Sequence, residues 1–162
     1  MIGNRKKYPP PEGGKEGALR AAASLLAYKE NTESELKRKL LDRGYDPADI
    51  DAAFAVLREK RYLDEKRYFF RFVENCALSR RFGPRRILME AKIKGFSEKT
   101  VSENREEALS GFDFDELCLQ TAARLPGNDA KKKAAALLRR GYGAESVRYA
   151  LSGPDGDQST IK

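Results

Sequence analysis

Three glycines, Gly44, Gly95 and Gly141, each close a basic and apolar run, and they constrain the fold more than any other feature of the 162-residue chain. Aligned on them, the segments read KLLDRGYDPADIDAAF, AKIKGFSEKTVSENR and ALLRRGYGAESVRYAL. Each glycine is followed at once by an aromatic (Tyr45, Phe96, Tyr142) and six residues on by a β-branched aliphatic (Ile50, Val101, Val147). The glycines stand 51 and 46 residues apart, which is the signature of an internal repeat. A glycine that stops a helix and passes the chain to an aromatic predicts a left-handed closing residue, with the ring sealing the helix end.

Apolar spacing between the tails is helical. Ile50, Ala53, Phe54 and Leu57 fall at i, i+3, i+4 and i+7, and Phe69, Phe72, Val73 and Cys76 repeat the pattern, while no segment alternates as a strand would. Start signals agree. Thr32 with Glu35 forms a capping box, Asp113 with Glu116 an analogous one, and Asp46-Pro47 and Gly83-Pro84 put proline at a first helical position. A further amphipathic stretch precedes each glycine-centred pair, at 17–30, 64–79 and 113–125. The expected fold is all-α: three tandem three-helix repeats, 17–62, 63–111 and 112–152, in an elongated, curved array. Residues 1–16, with Pro9 to Pro11 and Gly13-Gly14, are expected to form a disordered basic leader, and 153–162 a flexible tail.

The order and spacing of several short motifs are specific in combination. They are Thr32-Glu33-Ser34-Glu35-Leu36 with Lys39-Leu40 and Gly44, then Tyr62-Leu63-Asp64-Glu65-Lys66-Arg67-Tyr68, then Phe82-Gly83-Pro84-Arg85-Arg86-Ile87 closing at Gly95, and Leu138-Arg139-Arg140-Gly141-Tyr142. From about residue 18 to 152 the chain resembles the RecX family, regulators of the bacterial recombinase RecA. The resemblance implies a tandem of three-helix repeats lying in the groove of the RecA–DNA filament, suppressing ATP hydrolysis and strand exchange, and shortening or destabilising filaments.

The inventory argues against catalysis. There is no histidine, no phosphate-cradling GxxxxGK[ST] or GxGxxG segment, and neither Cys76 nor Cys118 has a partner at metal-ligand spacing. No catalytic, cofactor-binding or metal-binding residue and no cofactor is therefore expected. Both cysteines sit in apolar helical patterns and read as buried free thiols of a cytoplasmic protein. There is no apolar run near the length of a membrane span and no hydrophobic signal region, so neither a membrane partner nor secretion is expected.

Thirty-two Lys and Arg against 25 Asp and Glu leave +7, a moderate bias towards anionic partners. The richest candidate site is Arg80, Arg81, Arg85 and Arg86 around Gly83-Pro84, continuing through Lys92 and Lys94. Arginine pairs bidentately with phosphate or carboxylate, and Phe82 among them offers a stacking ring. The second candidate is Lys131, Lys132 and Lys133 with Arg139 and Arg140, for which a solvated helix face is the stronger reading. Tyr68, Phe69, Phe70 and Phe72 suggest a stacking platform, but their spacing favours core packing for Phe69 and Phe72. The expected partner is the RecA filament, with single- or double-stranded DNA as a further partner, bound by a monomer. A DNA-binding helical module acting without a recombinase is the alternative.

Overall fold

The structure, a computed structural model, describes residues 13–152. Among these it is all-α, with no strand. The helices are α1 (Gly14–Tyr28), α2 (Glu33–Asp42), α3 (Pro47–Glu59), α4 (Glu65–Leu78), α5 (Pro84–Lys94), α6 (Glu98–Ser110), α7 (Phe114–Arg124), α8 (Ala130–Arg139) and α9 (Ala144–Ser152). Helix α1 begins three residues ahead of the expected boundary at 17, so Gly14–Glu16 are helical rather than part of a leader. Gly13, at φ 96°, turns the chain in, and its carbonyl accepts the Gly17 N–H at 2.8 Å. The rest of the expected leader, residues 1–12, and the expected tail, 153–162, lie outside the described residues.

The helix boundaries follow the sequence signals. Thr32 closes a complete capping box with Glu35, and the Asp113 side chain accepts the Glu116 N–H at 3.0 Å. Pro47 and Pro84 open α3 and α5, where the missing N–H costs no hydrogen bond. Gly44, Gly95 and Gly141 sit at φ 94°, 97° and 91°, the left-handed region that a side chain penalises. Around Gly44 and Gly141 the closure is a Schellman motif: Tyr45 N–H reaches Leu40 O at 3.2 Å, and Tyr142 N–H reaches Leu137 O at 3.3 Å.

The chain divides into two compact units. One comprises the described residues up to Tyr68 together with Lys94–Thr100; the other comprises Phe69–Ile93 together with the described residues from Val101 on. The first is built around Ala22, Leu36, Leu40, Ile50, Phe54 and Leu57, with Tyr45 packed against them. The second buries Phe69, Val73, Cys76, Ile87, Leu137 and Tyr142 completely. Phe72, expected in the core with Phe69, is only half-buried, as is Phe70.

Both units use the same joint. In the first, the Thr32 hydroxyl at the start of α2 donates to the carbonyl of Lys94, the residue before Gly95, at 3.2 Å. In the second, the Gly83 N–H at the start of α5 donates to the carbonyl of Arg140, the residue before Gly141, at 2.7 Å. A helix start thus meets a helix end with surplus carbonyls, through a hydroxyl in the first unit and a backbone amide in the second. The aromatic after each glycine is driven inward, leaving Phe96 6% and Tyr142 0% exposed.

Candidate functional site

The joint of the second unit gathers the arginines. After α4 the chain turns through Arg81, held at φ 59°, and the Phe82 N–H returns to Cys76 O at 2.9 Å. Gly83 and Pro84 then start α5, carrying Arg85 and Arg86 in its first turn. From α8, Arg139 and Arg140 arrive with the Gly141 turn: the Arg140 guanidinium donates to the Arg80 carbonyl at 3.0 Å, and the Arg85 N–H donates to the Gly141 carbonyl at 3.2 Å. Six arginines, 80, 81, 85, 86, 139 and 140, therefore belong to one turn and its partner. Two lots of basic residues that the sequence separates by more than fifty positions are brought together.

These arginines differ in what already holds them. Arg86 Nε donates to Glu90 Oε1 at 2.8 Å, and Arg80 lies 3.8 Å from the other oxygen of Glu90. The guanidiniums of Arg80 and Arg86 also stand over the Phe82 ring, at 4.5 and 5.0 Å from its centre. Phe82 is thus engaged by arginine within the fold, which weakens its reading as a free stacking surface. Arg81 Nη1 donates to Gln120 Oε1 at 2.9 Å, and its carbonyl accepts the Tyr142 hydroxyl at 3.0 Å. Arg85 and Arg139 are exposed, and no carboxylate pairs with either among the described residues. The Gly83 and Arg85 amides are occupied by carbonyls, so an anion here would be held by side chains rather than by a helix amide nest.

The other expected site residues lie elsewhere. Lys92 is exposed on α5. Lys94 belongs to the first unit, where its ammonium meets Glu35 Oε1 at 3.1 Å beside Tyr68. Burial works against the Lys94 charge, but the hydrogen bond to Glu35 and the neighbouring Tyr68 outweigh it and hold its pKa above the usual lysine value. Lys131, Lys132 and Lys133 sit towards the opposite end of α8 from Arg139, about 9–12 Å along the axis at ~1.5 Å per residue. The Lys131 and Lys132 amides are capped by the Asp129 carboxylate at 3.0 and 3.3 Å. Lys131 and Lys132 are exposed, while Lys133 is half-buried beside a shallow groove lined by Leu119, Ala122, Ala130 and Leu151.

Neither thiol has the character of a nucleophile. Cys76 and Cys118 are free and buried, and burial raises both thiols, Cys118 to about 11. Among the described residues no group of three or more Cys, Asp or Glu is placed to hold a metal ion, and no helix is long and apolar enough to cross a membrane. Sequence reasoning missed two members of the arginine site, Glu90 and Gln120. Glu90 was legible as the i+4 partner of Arg86; Gln120 lies on another helix, 39 residues from Arg81, with no local signal.

Comparison with known proteins matches this architecture. Residues 18–55 fit the family model described as RecX, first three-helix domain. The chain is 34% identical to the regulatory protein RecX of Halorhodospira halophila over 151 residues, covering 88% of this chain and 91% of the relative. It is 32% identical to the regulatory protein RecX of Chlorobaculum tepidum, covering 91% and 94%. The crystal structure of RecX from Lactobacillus salivarius superposes with a TM-score of 0.74 at 19% identity, covering 85% of this chain and 94% of that one. With relatives above 30% identity matched over nearly their whole length, this chain belongs to the RecX family of regulatory proteins.

Proposed function

We propose that the protein regulates the recombinase RecA by binding the RecA–DNA filament, mainly inhibiting its ATP hydrolysis and recombination activity. The observation that carries this reading is the gathering of Arg80, Arg81, Arg85, Arg86, Arg139 and Arg140 at one joint of a chain whose relatives are named regulatory proteins. Guanidiniums anchored at this spacing suit an acidic partner surface or phosphate oxygens, because each can pair bidentately. In this reading the chain is a cytoplasmic monomer without catalytic activity, its three glycine-closed segments forming an array along the filament groove. Arg85 and Arg139, exposed and without a carboxylate partner among the described residues, would make the outward contacts, while Arg80, Arg81 and Arg86 would hold the surface in shape.

The test is RecA ATP hydrolysis on single-stranded DNA with the protein added below stoichiometry. A fall in rate accompanied by shorter filaments supports the proposal; a constant rate over a wide concentration range rejects it. Titration of labelled single-stranded and duplex DNA without RecA, at two salt concentrations, addresses the DNA-only alternative. Tight, steeply salt-dependent binding without any effect on RecA would favour that reading.

A further inference from the structure

Along α5 the exposed side chains are Arg85, Met89, Lys92 and Ile93, while Ile87 and Ala91 are buried on the opposite side. At about 100° per residue these four fall within one arc of the helix. Met89 is 48% exposed and Ile93 73%. The only acid of α5, Glu90, is committed to Arg86 and Arg80. The outward face therefore holds two cations and two large apolar side chains, with no carboxylate.

The needs of a solvated helix do not account for this pairing. Isoleucine is a poorer helix former than the lysine, glutamate or alanine that would serve there, and its exposure gains nothing in water. Nor does a nucleic-acid backbone account for it, since phosphates reward Arg85 and Lys92 but offer nothing to a thioether or a branched alkyl group. Protein interfaces do reward the combination: methionine and arginine are enriched in them, and apolar anchors flanked by polar contacts dominate their energetics. In the same unit, α8 repeats the chemistry with Leu138, 49% exposed, beside exposed Arg139.

We infer that the outward face of α5 docks a protein surface, an apolar patch rimmed by carboxylates, rather than DNA. The cations meet the acidic rim, and Met89 and Ile93 fill the apolar centre. This rests on the filament-binding function proposed above and deepens it: the partner at this face is the recombinase protomer, not the strand it coats.

The test uses the full chain and two variants, Met89→Ser/Ile93→Ser and Ile93→Lys. All the changed side chains are exposed, so helix content and thermal unfolding should match the parent and serve as the folding check. Binding is measured to RecA filaments on single-stranded DNA and to the same DNA without RecA, each at two salt concentrations. The inference expects both variants to bind the filament about tenfold more weakly or worse, with the loss persisting at high salt because an apolar contact is not screened. Binding to bare DNA should be unchanged for the double variant and unchanged or tighter for Ile93→Lys. Filament binding equal to the parent's, or tighter for Ile93→Lys, overturns the inference while leaving the proposed function standing. A parent chain that does not bind the filament overturns both.

Discussion

Gly83 and Gly141 meet backbone against backbone: a Cβ on Gly83 would come within 2.3 Å of the Tyr142 nitrogen, and one on Gly141 within 2.2 Å of the Arg86 nitrogen. The obstacle in both cases is main chain, which no rotamer change relieves. Gly83→Ala should cost about 1–3 kcal/mol as overpacking. Gly141→Ala adds left-handed strain at φ 91°, bringing it to roughly 2–5 kcal/mol. Gly143→Ala is the control, since its Cβ would meet nothing within 4 Å, and it should cost about 0.5 kcal/mol or less. Urea denaturation of the three variants measures these differences. A Gly141→Ala protein as stable as Gly143→Ala would show that the joint yields.

Glu65 holds the first unit in a comparable way with a side chain. One carboxylate oxygen accepts the Glu33 N–H at 3.3 Å, and the other accepts the Ser97 and Thr100 hydroxyls at 3.0 and 2.7 Å. It thereby serves the starts of α2 and α6 together. Glu65→Ala should cost about 1–3 kcal/mol, because several donors lose their acceptor at once, and Glu65→Gln should recover part of that. Denaturant midpoints of the two variants decide it; equal midpoints for Glu65→Ala and the parent would show that water replaces the carboxylate without loss.

These two contacts mark the limit of what the sequence discloses. The capping box at Thr32, the prolines at 47 and 84 and the glycines at 44, 95 and 141 act over a few residues, so their roles are legible locally. That Arg139 and Arg140 would join Arg80–Arg86, and that Lys94 would instead pair with Glu35, depends on which helix end meets which helix start. Long-range pairing of this kind leaves no period in a single chain. The exposure of Met89 and Ile93 was hidden too, because apolar residues on a helix read as core until the opposite face is shown to be the buried one.

Arg85 and Arg86 are neighbours with different expected phenotypes. Arg85 is exposed, with no carboxylate partner among the described residues, so Arg85→Ala should leave stability within about 0.5 kcal/mol and weaken binding to an anionic partner. If the contact is to phosphate, the salt slope of that binding falls by about one. Arg86→Ala removes the Glu90 hydrogen bond and the contact with Phe82, and should lower stability by about 0.5–1 kcal/mol. Binding isotherms and thermal unfolding on both variants separate the roles. Arg85→Ala binding like the parent would make Arg85 surface only.

Arg61 closes α3 at φ 59°, a left-handed position where a side chain is strained, with Tyr62 N–H returned to Leu57 O at 2.9 Å. Its side chain is exposed. Arg61→Gly should therefore raise stability by about 0.5–1 kcal/mol, the relief of strain exceeding the added chain entropy of the unfolded state. A melting temperature at or below the parent's would mean that the arginine contributes more than its conformation costs.

Cys118 should make the fold less stable at alkaline pH. Burial, with Asp115 adding to it, raises its thiol from the usual 9 to about 11. The folded state therefore holds the proton more tightly than the unfolded chain does. Stability from this group is whole below pH 9 and is lost as pH rises to about 11, where folding must bury a thiolate or forgo it. Two pH units correspond to a loss of about 2–3 kcal/mol. Burial raises the Tyr142 hydroxyl as well, so its loss follows in the same direction. Denaturation at pH 8 and pH 10.5 should show the decline, and Cys118→Ala should flatten part of it, the buried Cys76 thiol being raised in the same direction. An equal decline in that variant would place the alkaline sensitivity in another group.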